Sequence, residues 1–140
     1  LTRIVIDIER IGDYTKNITE LATTHPRQLK CGRHDADVSK IEQAVAGVFG
    51  GIVETLKSAD KDRARSLIGD NIWIKQHCDE IDRELVAGTD TDLTSSDAVT
   101  TALYVRYLKR IGAHLMNILS SVINPFDRIG FREAQEELGG

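Results

Sequence analysis

Prolines, cysteines and aromatic side chains are all scarce in this chain. Two prolines in 140 residues leave long stretches free to stay helical. Two cysteines far apart in sequence make no disulfide framework. Aromatic residues supply only 5%, so a core must be built mostly from aliphatic side chains. No apolar run approaches the roughly 20 residues that span a bilayer. The longest, Ala44 to Val53, is interrupted by Gly47, Gly50 and Gly51 and stops at Glu54. No signal peptide is visible, so the expected compartment is the cytoplasm. A net charge of −4 with 18 basic residues argues against a general nucleic-acid binder, which needs a row of cations for the phosphates.

What is present is helical periodicity. Leu1, Ile4, Ile8, Ile11, Thr15, Ile18 and Ala22 step by three and four, the repeat of one buried helical face. Pro26 and the preceding Thr-Thr-His end this helix. A second helix carries Val38, Ile41, Val45, Val48, Ile52 and Leu56, with Asp35 or Asp37 as N-cap. Its three glycines each cost about 1 kcal/mol against alanine. That cost predicts close approach of a neighbour and a place in the middle of a bundle. A third helix shows Ala64, Leu67, Ile74, Cys78, Ile81 and Leu85. A fourth, capped by Thr94 or Ser95, shows Tyr104, Leu108, Ile111, Leu115, Ile118 and Val122 and ends at Asn124-Pro125. Nothing alternates with period two. The expected fold is all-α, four helices with antiparallel neighbours.

The first and fourth helices are related. Arg10-Ile11-Gly12 recurs as Arg110-Ile111-Gly112, and Asn17-Ile18 as Asn117-Ile118, at one constant offset. Such a repeat means one supersecondary unit occurring twice. Residues 38–124 then form a complete antiparallel three-helix bundle, and residues 1–25 the last helix of a preceding repeat. Residues 125–140 are a tail with Phe126, Ile129 and Phe131, read as folding back on the bundle or as a docking segment. The start in mid-pattern, without Met, suggests further sequence upstream. An orphan amphipathic helix cannot bury its stripe alone. It is expected to pack as a fourth helix on this bundle or to make a homodimer.

The segment Ile8-Glu9-Arg10-Ile11-Gly12-Asp13-Tyr14 with Asn17-Ile18-Thr19-Glu20 resembles the signature helix of the PhoU family. Arg106 to His114 with Asn117-Ile118 looks like its second copy, and Asp79-Glu80-Ile81-Asp82 is similar to the family's middle helix. The resemblance implies a tandem of three-helix bundles that regulates phosphate uptake and phosphate-starvation signalling. The implied partners are a phosphate ABC transporter ATPase and a sensor histidine kinase, with the membrane reached only through them. The same domain also occurs as the cytoplasmic tail of sodium–phosphate cotransporters, an alternative reading. A metal-binding helical bundle is another.

Glu9 and Asp13, four apart, stand on one helical face within reach of one ion. Two oxygen ligands hold iron, manganese, zinc or magnesium only if a second helix adds more. The resemblance implies surface metal clusters of this kind, with iron or zinc as the candidate cofactor. Lys109 and Ala113 replace the carboxylates in the second copy, so a second cluster is lost or rebuilt from Cys78, Asp82 and His114. Glu9, Asp13 and Asp82 are therefore the candidate metal ligands. A separate zinc set would combine Cys31 and His34 with His77 and Cys78. His25 reads as a surface residue, and Trp73 and Phe49 as core or helix-contact residues. Arg10, Arg106 and Arg110 suit phosphate or a partner's acidic groups, or pairing within the bundle. No phosphate-cradling glycine loop and no Glu-x-x-His appears, and no enzyme activity is expected.

Overall fold

The computed structural model describes residues 2–125, with side chains from Ile4 onward. Helix α1 spans Thr2–Thr24, α2 Asp35–Ser58, α3 Lys61–Asn71, α4 Ile74–Ala87 and α5 Ser95–Ile123. A 3-10 turn, Gly32–His34, leads into α2. No strand occurs among the described residues. The expected tail, residues 125–140, lies outside them except for Pro125.

The helix ends follow local chemistry. Asp60 caps α3 by accepting from the Arg63 amide at 2.9 Å, and Thr94 caps α5 by accepting from the Asp97 amide at 3.1 Å. Gly88, at φ +67°, closes α4 with its amide donating back to Glu84 and Leu85. For α2 neither Asp35 nor Asp37 caps the helix. His34 holds the cap position, and Asp35 instead accepts from the Cys31 amide at 2.7 Å.

The expected third helix is two segments. Ile72 and Trp73 keep right-handed backbone angles but break the α-helical pattern, and the Trp73 indole donates to the Asp70 carbonyl at 2.9 Å. No proline marks the break, which follows Gly69, Asp70 and Asn71.

Pairings along the seams fix the directions. Lys109 meets Asp79 and Gly112 approaches Ile74, so α4 runs antiparallel to α5. His34 meets Glu84 and Gly51 approaches Leu67, so α3 and α4 run antiparallel to α2. His114 meets Asp7 and Tyr107 meets Tyr14, so α1 is antiparallel to α5. The first helix thus packs as a fourth helix on the bundle.

The central element is α5, not α2. It packs against α1, α2, α3 and α4, and Thr101, Val105, Leu115 and Leu119 are almost fully buried. Helix α2 lies on one side. A Cβ at Gly51 would press on Leu67 at 3.2 Å, but at Gly47 and Gly50 it would meet nothing. Only one of the three glycines is therefore explained by close approach. The inward face of α2 is Val38, Ile41, Val45, Val48, Ile52 and Thr55; Leu56 is exposed, as is Phe49. Each buried aliphatic side chain contributes about 1.5–3 kcal/mol relative to exposure.

The inward seam of α1 is Ile4, Asp7, Ile11, Tyr14, Ile18 and Leu21, continued by His25 just past its end; Asp7, Ile11 and His25 are buried and the others half-buried. Ile8, Thr15 and Ala22, expected inside, are exposed. Thr15 turns its hydroxyl back to the Ile11 carbonyl at 2.8 Å, and Thr19, Thr23 and Thr24 make the same internal bond. The helix rotates this way because two polar seam residues find partners on α5.

Candidate functional site

The chemistry-bearing residues collect along the faces of α5. At one end of the α1 seam, buried Asp7 accepts from Asn117 Nδ2 at 3.3 Å and lies 2.8 Å from His114 Nδ1. At the other end His25 is buried and not a surface residue. Its Nε2 stands 3.2 Å from Asp97 Oδ1, and its Nδ1 3.2 Å from Ser96 Oγ. Two histidine–carboxylate contacts thus bracket the first helix. Between them Tyr14 stacks on His114, with ring centroids 6.1 Å apart.

The Asp7–His114 and Tyr14–Tyr107 contacts obey the internal repeat. Shifting by one hundred positions turns Asp7 into Tyr107 and Tyr14 into His114. The pair Asp7–His114 then corresponds to Tyr14–Tyr107, and both pairs are made. Ile11 and Ile111, at the centre, are both buried. The flanks differ. Val105 and Leu108 are 0% and 6% exposed, whereas their counterparts Val5 and Ile8 are 47% and 55% exposed. Helices α2 to α4 cover that flank of α5, and no described helix covers it on α1.

Glu9 and Asp13 lie on this outer side, and both are exposed. Asp13 sits 3.8 Å from Arg10, a pairing within one helix. Asp82 is elsewhere, half-buried on α4 against α5. Its Oδ1 is buried without a hydrogen bond, and burial pushes its carboxyl up to about 6 despite the pull of Arg106 and Lys109. The three candidate ligands are therefore not brought together. Among the described residues no group of three or more His, Cys, Asp or Glu side chains is placed to hold a metal ion.

The rebuilt set of Cys78, Asp82 and His114 does not assemble, because Asp7 takes His114. Cys78 is fully buried, and its thiol is pushed up to about 12, chiefly by burial and then by Asp82 and Asp79. Lys109 explains the region better. Its ammonium, with Lys75, bonds Asp79. Burial would raise that carboxyl, but the two lysines outweigh burial and hold it low. Side-chain cations thus neutralise the Asp79 carboxylate.

The zinc set is also separated. Cys31 Sγ pairs with Thr101 Oγ1 at 3.5 Å, His34 faces Glu84 at 3.2 Å, and His77 packs edge-on to Trp73. Trp73 is a helix-contact residue, half-buried with Lys40 4.9 Å from its ring centroid.

Asp7 and Asp97 were not among the residues singled out by sequence. Spacing alone could have found Asp7, since it completes the three-four stepping Ile4, Asp7, Ile11, Tyr14, Ile18, Leu21 and His25.

Comparison with known proteins supports the resemblance to the PhoU family. The chain is 26% identical over 117 residues to the phosphate-specific transport system accessory protein PhoU homologues of two Caulobacter vibrioides strains, NA1000 / CB15N and ATCC 19089 / CIP 103742 / CB 15. The match covers 83% of this chain and 51% of each relative. The chain thus spans about half the length of the curated relatives it matches. No family model matches the chain, and no solved structure matches it. No described helix is long and apolar enough to cross a membrane.

Proposed function

We propose that this chain is an accessory regulator of phosphate uptake and phosphate-starvation signalling, acting in the cytoplasm through protein contacts and without catalysis. The observation that carries the reading is the likeness to phosphate-specific transport accessory proteins over 83% of the chain. The doubled Arg-Ile-Gly and Asn-Ile motif on α1 and α5 agrees with it. In this reading α1 closes a preceding three-helix repeat, residues 38–124 are the complete one, and the two closing helices pack back to back. The bare Val5 and Ile8 flank is where helices of the preceding repeat lie, as α2 to α4 lie on Val105 and Leu108. Glu9 and Asp13 face the same side and would share an iron or zinc ion with carboxylates of that repeat.

The proposed partners are the ATPase of a phosphate ABC transporter and a sensor histidine kinase. The test is affinity capture from phosphate-replete cells with this chain as bait. Recovery of either partner supports the reading. Capture of neither, with the chain folded, rejects it.

A further inference from the structure

The groove between α4 and α5 holds a cavity of about 350 Å³. Ile74 and Lys75 of α4 line one side, and Lys109, Arg110, His114 and Met116 of α5 line the other. None of its described lining residues is Asp or Glu, although those types supply 22 of 140 residues and the chain is net negative. Lys75 and Lys109 share the single carboxylate of Asp79, which lies outside the lining. Arg110 is half-buried, and no ion pair among the described residues neutralises it. Asp82, also outside the lining, acts on Lys109 as well, so the uncompensated charge rests chiefly on Arg110, in a recess that also has an apolar wall.

A like-charged cluster in a partly dehydrated recess is unfavourable unless an anion enters. We propose that this cavity binds a small phosphate-bearing molecule, with Arg110 gripping the phosphate and Lys75 and Lys109 flanking it. A guanidinium fork matches two phosphate oxygens at once, and lysines supply mobile point charges beside it. Small-molecule sites commonly run from about 300 Å³ upward, so the cavity has room for a phosphate and an attached organic body. Ile74 and Met116 supply the surface for that body. The inference stands on the cavity and its charges, whatever partner the chain regulates.

Isothermal titration calorimetry on the full chain tests it, with inorganic phosphate, adenosine 5′-monophosphate and adenosine as probes. Binding of inorganic phosphate as tightly as the nucleotide identifies free phosphate as sufficient. Tighter nucleotide binding identifies a phosphate ester. Arg110→Gln should weaken either by about tenfold or more, the loss of a charge-assisted bidentate contact. Lys75→Gln, at an exposed rim position where folding is not at stake, should weaken it about threefold. Arg106→Gln, outside the lining, should leave affinity unchanged. Absence of binding by both phosphate probes overturns the proposal. So does adenosine binding as tightly as its monophosphate, or full affinity in both the Arg110 and Lys75 variants.

Discussion

Asp7 Oδ1 and His114 Nδ1 meet at 2.8 Å across the α1–α5 seam, with the Asp7 side chain 7% exposed. A carboxylate buried to that extent is tolerated because His114 and Asn117 both reach it. The pair positions α1 where a simple apolar stripe would have rotated it otherwise.

Removing one member should therefore cost more than removing both. Asp7→Leu leaves the ring nitrogen of His114 without its acceptor and is expected to lower stability by about 2–3 kcal/mol. Replacing both Asp7 and His114 with Leu should recover part of that loss. Urea denaturation of the two single variants and the double variant checks the coupling through a double-mutant cycle.

Asp82 gives a pH signature of opposite sign to the usual carboxylate. Its folded-state value, about 6, lies above the 3.8 of an unperturbed aspartate. Between those values the folded state holds more of the proton than the unfolded one, so stability falls as pH rises from about 4 to 6. Asp82→Asn should remove that slope and raise stability at pH 7 by roughly 1–2 kcal/mol, allowing for partial exposure. Melting temperatures across pH 4–8 for both proteins read this directly. A steeper fall in the variant would contradict it.

Equivalent positions of the internal repeat should differ sharply in the isolated chain. Leu108→Ala, in the covered flank, is expected to cost about 2–5 kcal/mol. Ile8→Ala, its exposed counterpart, should change stability by less than about 0.5 kcal/mol. Chemical denaturation of both variants is the measurement.

The glycines of α2 separate in the same way. A Cβ at Gly47 or Gly50 meets open space, so alanine at each should stabilise by about 0.5–1 kcal/mol through helix propensity alone. At Gly51 the new methyl presses on Leu67, and the gain should be smaller or lost. Three single variants compared by thermal unfolding resolve this.

The parts legible in the sequence were those governed by one strong local signal. Val38, Ile41, Val45, Val48 and Ile52 mark α2, and Leu108, Ile111, Leu115, Ile118 and Val122 mark α5, because apolar side chains recur at helical spacing and are buried. The rotation of α1 was not legible in the same way. The stepping through Asp7 competes with the apolar one through Ile8, and His25 reads as a surface residue; the choice is made only when His114, 107 residues on from Asp7, and Asp97, 72 residues on from His25, come beside them. The break at Ile72–Trp73 has only a weak local marker, Gly69-Asp70-Asn71 just before it, since both residues keep helix-compatible angles. At the candidate site, the i,i+4 spacing placed Glu9 and Asp13 on one face, but not their distance from Asp82, which depends on how helices are arranged around α5.

The helix at the hub is also the last described helix to be made. Residues 1–94 are synthesised before Ser95 is added, and α1 has no lasting partner among them. At roughly 5–20 residues per second, the 29 residues of α5 take about 1.5–6 s to synthesise. Throughout that interval the faces of α1, α2, α3 and α4 that α5 will cover lack that cover. Holding chaperones should therefore engage this protein during translation, and let go once the hub helix has emerged.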